Sequence, residues 1–162
     1  MATQFFVTVT GAKQGPFKGE SAQKGREGKI PGVAFSYGVL SPRDPTSGLP
    51  TGKRQQQPVV FSKEWGISSP QFYEAIYNNE NLPTVLFEFF VAGPTGVTTL
   101  NHTIKLTNAS ISAVRQTLPD NQPVGSHDPR ELQEISFTFQ KIDIVSVNGG
   151  TEASDDWEAP TT

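Results

Sequence analysis

The stretch LQEISFTFQKIDIVSV, from Leu132 to Val147, holds two β-strand patterns that face in opposite directions. The apolar residues of its first half share one face of a regular strand and are Ile135, Phe137 and Phe139. Those of its second half fall on the opposite face and are Ile142 and Ile144. Because side chains alternate strictly between the two faces of a strand, this change of parity requires a bulge or a bend. The alternative is a strand that is buried on both faces at one end.

A second stretch, LNHTIKLTNASISAV from Leu100 to Val114, changes parity in the same way, between Leu106 and Ala109. Two long strands that each turn from one face to the other are typical of strands that bend between two sheets. We therefore predict a mostly β protein, built as a small barrel of two sheets.

The rest of the chain agrees with such a barrel and adds one short helix. Further strand patterns occupy residues 5–10, 32–40, 58–65 and 84–92. The segment SSPQFYEAIYNNENLP predicts the helix, since Ser69 can cap its start, Pro70 fits its first turn and Pro83 bars its extension.

The strand pattern at residues 32–40 has one bulky face and one small face. The bulky face is predicted to join the core. The small face consists of Ala34, Ser36 and Gly38. Such a face fits against solvent, a neighbouring chain or a pore.

The 162 residues, 35% of them hydrophobic, suit one domain with a core of its own. We predict a barrel domain over residues 1–148, with an extended loop at 41–57, and an acidic, mobile tail over 149–162. The loop, SPRDPTSGLPTGKRQQQ, exceeds the ~12–15 residues usual for a structureless connection, so we predict a functional role for it.

Composition excludes several classes of protein. The chain has no cysteine, which rules out disulfides and thiolate chemistry. It also lacks an apolar run of the ~18 residues that a transmembrane helix needs. The opening MATQFFVTVTG lacks the basic segment and apolar core of a signal peptide, which predicts assembly in the cytoplasm and any export by a signal-independent route.

Charge is divided between the two parts of the chain. Residues 1–63 carry nine Lys and Arg against three Asp and Glu, whereas residues 64–162 carry four against thirteen. The basic part could bind nucleic acid, or it could meet the acidic part of another copy of the chain. Uneven loop composition explains the division equally well.

Motifs that carry chemistry are absent. The glycine-rich loop GAKQGPFKGESAQKGREGKIPG, from Gly11 to Gly32, is not a phosphate-binding loop, because Glu20 stands where that motif needs a hydroxyl and no helix pattern follows. The only histidines, His102 and His127, lack the spacing of metal ligands. We expect no catalytic residues, no cofactor and no metal.

Several segments together resemble one known family. In order they are KGES, VAFSYG, VVFSKEWGISSPQFYEAIYNN, HTIKLTNASISAV and LQEISFTFQKIDI. This ordered set is similar to that of the haemolysin-coregulated protein (Hcp) family of type VI secretion systems. The resemblance covers roughly residues 5–147.

The resemblance implies a two-sheet barrel with one helix, assembling into homo-hexameric rings. It further implies that the rings stack into the tube of the secretion machine, meet its sheath and spike proteins, and hold small effector proteins in the lumen. It implies no enzyme, no nucleic-acid partner and no membrane insertion.

The resemblance also assigns roles to particular residues. The lumen-facing residues would be Ala34, Ser36 and Gly38. The loop that reaches the adjacent ring would use Arg43, Asp44, Lys53 and Arg54. The contact with a neighbouring subunit would use Lys18, Gly19, Glu20 and Ser21.

Three alternatives stay open at this stage. The first is a tail-tube subunit of a phage or of another contractile injection particle. The second is a monomeric barrel or sandwich that binds sugar or peptide, with Trp65 or Tyr77 as an exposed platform. The third is an enzyme of a type that the sequence does not reveal.

Overall fold

The computed structural model describes residues 3–119 and 131–156, and the described residues form twelve strands and one helix. The first seven strands are β1 (Thr3–Gly11), β2 (Gly15–Pro16), β3 (Ile30–Pro31), β4 (Ala34–Ser36), β5 (Val39–Leu40), β6 (Gln55–Gln56) and β7 (Val59–Glu64). The remaining elements are α1 (Ser69–Tyr77), β8 (Leu82–Ala92), β9 (Thr98–Thr117), β10 (Leu132–Thr138), β11 (Lys141–Ser146) and β12 (Thr151–Asp156).

Two antiparallel sheets make up the molecule. In the first sheet, β2 and β3 both pair with the outer edge of β1, and the order continues through β8, the first part of β9, β11 and β12. In the second sheet the order is the last part of β9, then β10, β7 and β4. The pair β5 and β6 forms a separate hairpin at the foot of the extended loop.

The long strand β9 belongs to both sheets. Its residues 102–107 pair with β11, and its residues 110–117 pair with β10. Between these parts Asn108 has a left-handed backbone with φ of 50°, and the buried positions change parity from Leu106 to Ala109. The bend predicted for this stretch is therefore confirmed.

The second stretch with a parity change divides at a corner into two strands, β10 and β11. The first lies in the second sheet and the other in the first sheet, so the chain changes sheets at residues 139–140. Both strands pair with β9, which changes sheets at the same level. The predicted bend is confirmed, although the segment is two strands and not one continuous strand.

The barrel is closed by the short segment that contains β3 and β4. The amide of Gly32 donates to the carbonyl of Phe5 at 3.0 Å, and the amide of Val33 donates to the carbonyl of Ser62 at 2.7 Å. This segment thereby bridges the edge strands β1 and β7. A Cβ at Gly32 would lie 2.0 Å from the Phe5 ring, so glycine alone fits here.

An aromatic cluster fills the space between the sheets. The rings of Phe61 and Phe137 stack at 5.8 Å, and Phe87 from the opposite sheet packs edge-on against both. Phe72 on α1 adds a further ring against Phe61, at 5.9 Å. All four side chains are fully buried, so truncating any one of them to alanine costs about 3–5 kcal/mol.

The helix begins slightly differently from the prediction. The residue at its N-cap is Ser68, not Ser69, and Pro70 lies in the first turn as predicted. The hydroxyl of Ser69 instead accepts from the amide of Gly66 at 3.1 Å. With nine residues, α1 is too short to cross a membrane, and no other described part of the chain forms a longer helix.

The prediction of a mobile tail is wrong for residues 151–156. These residues form β12, which pairs along its whole length with β11, from Thr151 opposite Ser146 to Asp156 opposite Lys141. The turn before it closes through Gly150, whose φ of 68° and amide bond to the Ser146 carbonyl at 2.9 Å suit a hairpin. Residues 157–162 lie outside the described residues, and the domain boundary at 148 stays a prediction.

Candidate assembly surfaces

The loop from Gly11 to Gly32 folds back on its own chain. The amide of Gly19 donates to the carbonyl of Gly28 at 3.0 Å, and the amide of Ser21 donates to the carbonyl of Lys29 at 3.0 Å. A Cβ at Gly19 would lie 2.3 Å from the Lys29 carbonyl carbon. Gly19 therefore allows a close approach of two backbone segments within one chain.

Glu20 in this loop pairs with a buried lysine of the barrel. Its Oε1 lies 3.1 Å from Nζ of Lys63, whose side chain is 1% exposed. The same oxygen accepts from the amide of Ser68 at 2.9 Å and from its hydroxyl at 2.5 Å. The ion pair thus ties the loop to β7 and to the start of α1.

Burial and hydrogen bonding act in opposite directions on this pair. Burial raises the pKa of Glu20, but the bonds from Ser68 and the charge of Lys63 outweigh burial and hold that pKa below its usual range. Burial lowers the pKa of Lys63, and the neighbouring Glu20 carboxylate opposes part of this effect. The carboxylate is therefore the better stabilised member of the pair.

Two further attachments hold the loop. The backbone of Lys18 exchanges two hydrogen bonds with the Gln71 side chain on α1, each of 3.0 Å. The guanidinium of Arg26 lies 3.9 Å from the centre of the Phe90 ring and donates to the Thr98 hydroxyl at 2.9 Å. The side chain of Lys18 remains exposed, and the contact of residues 18–21 with a neighbouring subunit stays a prediction.

The small face of β4 points away from the core. Ala34 and Ser36 are exposed and Gly38 is half-buried, whereas Phe35 between them packs edge-on against Phe87 at 5.1 Å. The alternation predicted for this strand is present there, and its lumen-facing role stays a prediction. The prediction that the bulky face joins the core fails at its two ends, because Val33 precedes β4, Val39 follows it, and both side chains are exposed.

The extended loop at 41–57 has an ordered tip. The Asp44 carboxylate accepts from the amide of Thr46 at 3.0 Å and from the hydroxyl of Ser47 at 2.9 Å. The bond from the Thr46 amide, followed by the one from Ser47, holds the pKa of Asp44 below its usual range. The guanidinium of Arg43 reaches the Gly48 carbonyl at 3.4 Å, so this side of the loop also closes on itself.

Large apolar side chains are exposed both at the foot of the extended loop and near its tip. Val39 and Leu40 lie on β5, directly before the loop, and Leu49 lies within the loop. Arg43 and Lys53 are also exposed. The loop thus combines apolar side chains with positive charge.

Arg54 at the foot of the loop has a partner within its own chain. Its Nε donates to Oδ2 of Asp155 on β12 at 2.6 Å, and its Nη2 donates to the other carboxylate oxygen. The carboxylate that Arg54 meets in this structure comes from the same chain, and a contact of Arg54 with an adjacent ring stays a prediction. The hydrogen bonds from Arg54 hold the pKa of Asp155 below its usual range.

Residues 6–145 match the family model described as "Type VI secretion system effector, Hcp". This chain belongs to the Hcp family of type VI secretion tube proteins. The "Major exported protein" of Pseudomonas aeruginosa is 31% identical to it over 169 aligned residues, which cover 99% of this chain and 98% of that protein.

Solved structures give the same result. A crystal structure of an Hcp protein superposes with a TM-score of 0.90 at 30% identity, covering 98% of this chain and all of that one. Hcp1 from E. coli EAEC 042 superposes with a TM-score of 0.84 at 26% identity, covering 96% of this chain and 99% of that one. The resemblance and the fold class predicted from the sequence are both confirmed.

In this Hcp-family chain, some residues of the basic part form ion pairs with residues of the acidic part of the same chain. Lys29 from the basic part pairs with Glu88 at 2.5 Å, and Arg54 pairs with Asp155. The exposed cations of the extended loop do not share in these pairs.

Sequence reasoning missed Lys63, Gln56 and Asp155. Lys63 had a visible signal, because it continues the inward positions of Val59 and Phe61 on β7. Gln56 and Asp155 had no such signal in the sequence, because the two residues bond to each other across 99 residues of the chain.

The residues considered for other functions occupy ordinary positions. His102 packs edge-on to Phe89 at 6.0 Å, and His127 lies outside the described residues. Trp65 donates its indole N–H to the Leu132 carbonyl at 2.9 Å, whereas Tyr77 is 77% exposed. Within residues 3–119 and 131–156, no three acidic, histidine or cysteine side chains are grouped to hold a metal ion.

Proposed function

We propose that this Hcp-family chain forms homo-hexameric rings that stack into the inner tube of a type VI secretion machine. The observation that carries the proposal is the extended loop together with β5 before it, since this ordered segment exposes three large apolar side chains, Val39, Leu40 and Leu49. Exposed apolar patches on soluble proteins commonly mark interfaces. A loop of this kind fits against the next ring of a stack.

The small face of β4 supports a lumen within the ring. Ala34 and Ser36 are exposed, short and weakly polar, so they offer little to bind a passing protein tightly. We assign them, with Gly38, to the lumen wall. Small effector proteins would travel inside, the sheath would surround the tube, and the spike would cap it.

Export belongs to the same proposal. The relative from Pseudomonas aeruginosa bears the name "Major exported protein". Rings of the present chain would assemble in the cytoplasm and leave the cell with the tube. Neither nucleic acid nor a membrane is a partner in this proposal, and no residue has a catalytic role.

Light scattering coupled to size-exclusion chromatography tests the ring. Six chains of 17.6 kDa give about 106 kDa, and negative-stain images of that peak should show rings with an open centre. At higher protein concentration, end-on rings should give way to side views of tubes. A monomer at every concentration tested would overturn the proposal.

A further inference from the structure

The extended loop is joined to the barrel by a narrow foot. Its hairpin, β5 and β6, has two residues in each strand and pairs with neither of the main sheets. Backbone hydrogen bonds between strands therefore do not fix the direction of the loop relative to the barrel. We ask which side-chain contacts at the foot fix it.

A chain of hydrogen bonds at the foot supplies these contacts. The carboxylate of Asp155 on β12 receives both guanidinium bonds of Arg54, and it accepts from Nε2 of Gln56 at 2.5 Å. The hydroxyl of Tyr37 donates to Oε1 of Gln56 at 2.5 Å. Two-bond pairing of arginine with carboxylate is the most directional ion pair available to side chains.

A groove with apolar walls lies beside these hydrogen bonds. Tyr37 and Val39 line it together with three residues of the β11–β12 hairpin, namely Ile142, Ile144 and Ala153. Arg54 and Asp155 line the same groove. The foot of the loop and the C-terminal hairpin thus share a hydrogen-bonded contact and the walls of one groove.

We propose that the Arg54–Asp155 pair is a clamp through which the C-terminal hairpin holds the extended loop in the direction that ring stacking requires. The inference rests on the proposed function, because it assigns stacking to this loop. It makes β12 a control element for tube growth. Loosening the clamp frees the loop and weakens stacking without breaking the ring.

The lack of native cysteine allows a direct measurement of the loop. A nitroxide label on the variant Thr51→Cys, at an exposed position of the loop, reports mobility by electron paramagnetic resonance. In this background the clamp is opened by Asp155→Asn or by Arg54→Gln. The matched control is Asp143→Asn, which removes the same charge from an ion pair with Lys141 on the same hairpin.

Both clamp variants should increase label mobility at least twofold and reduce tubes at least fivefold in electron micrographs, while the mass of the ring stays unchanged. The control should leave mobility and tubes as they are. The exchanged variant Arg54→Asp/Asp155→Arg should recover both readouts in part, and the unchanged ring mass of the single variants shows that they fold.

The two readouts separate this inference from the proposed function. Mobility can be measured on rings or on monomers, so the clamp is tested even if no tube forms. An unchanged label spectrum in Asp155→Asn would overturn the clamp. A mobile loop whose rings still stack fully would overturn the control of stacking, and absence of rings in the parent chain would overturn the proposed function instead.

Discussion

Lys63 places a positive charge on the inward face of a core strand. An ammonium group has three protons to donate, and three acceptors surround it. They are the carboxylate of Glu20 at 3.1 Å, the carbonyl of Glu64 at 2.6 Å and the hydroxyl of Ser69 at 3.3 Å. A buried cation is tolerated only when its hydrogen bonds and charge are satisfied in this way. The glycine-rich loop, which supplies Glu20, therefore stabilises the fold.

Replacing Glu20→Gln should lower the free energy of unfolding by about 2–3 kcal/mol, because the variant leaves the buried Lys63 without its counter-charge. Urea denaturation of the isolated subunit measures this. Glu27→Gln removes the same charge from an exposed position of the loop and should change stability by less than about 0.5 kcal/mol. Equal effects of both variants would contradict a specific role for the pair.

The same carboxylate predicts a dependence of stability on pH. The pKa of Glu20 is lower in the folded chain than in the unfolded chain, so its contribution is complete above the unfolded pKa and is lost as pH falls through the folded one. Between about pH 6 and pH 3, the parent should therefore lose more stability than Glu20→Gln. Denaturation curves that fall in parallel for the two proteins would speak against this assignment.

Gln133 is a fully buried side chain whose amide group has no hydrogen-bond partner in the described structure. It lies opposite Lys63 in the pairing of β10 with β7. Because an unsatisfied buried amide costs about 1–3 kcal/mol, Gln133→Met should raise the free energy of unfolding by about 1 kcal/mol. Thermal denaturation monitored by circular dichroism would reveal the gain, and a clear loss would show that the amide is satisfied.

At the scale of elements, β9 is the strand that makes a barrel out of two sheets. The change of sheet falls at Asn108, whose left-handed backbone is unfavourable for most residues. Its side chain donates to Oε1 of Gln140 at 2.9 Å, which ties the bend to the corner between β10 and β11. The two places where the chain changes sheets are thus bonded to each other.

Asn108→Val should destabilise the subunit by about 2–3 kcal/mol, since a β-branched residue is strained at positive φ and the bond to Gln140 is lost. Asn108→Gly loses the same bond without the strain and should stay within about 1 kcal/mol of the parent. The difference between the two midpoints in urea isolates the backbone effect. A valine variant as stable as the glycine variant would exclude strain at this position.

The bends were predictable because a parity change is a local pattern within one stretch of sequence. The strand β12 was not, since TEASDD has no apolar alternation and its pairing depends on the free edge of β11. The Glu20–Lys63 and Arg54–Asp155 ion pairs could not be predicted from the sequence either. Charge pattern shows which residues are ionised, but not which distant partner the fold brings to them.

At the scale of the whole molecule, the extended loop is the feature that stays exposed to solvent in a single barrel. Leu49 at its tip is 64% exposed, although the tip itself is fixed by the hydrogen bonds of Asp44. Ordering the backbone that carries an exposed apolar side chain before assembly lowers the entropy lost on contact. An ordered tip therefore favours repeated, identical contacts along a tube.

Leu49→Ser should reduce tube length while the ring keeps its mass, because the exposed leucine supplies apolar area to the contact between rings. Val97→Ser replaces a side chain of similar exposure in the turn between β8 and β9 and serves as the control. Tube lengths in negative-stain images compare the two. Tubes of parental length in Leu49→Ser would remove this residue from the contact.

The position of β9 also determines how the polypeptide can come apart. In the first sheet the early part of this strand lies between β8 and β11, and in the second sheet its last part forms the edge and pairs with β10. Neither sheet can form completely until β9 is paired. The subunit should therefore unfold in one all-or-none step. A chain cut within β9 would give two fragments, each without strands that the two sheets need. Neither fragment would fold until the other was added.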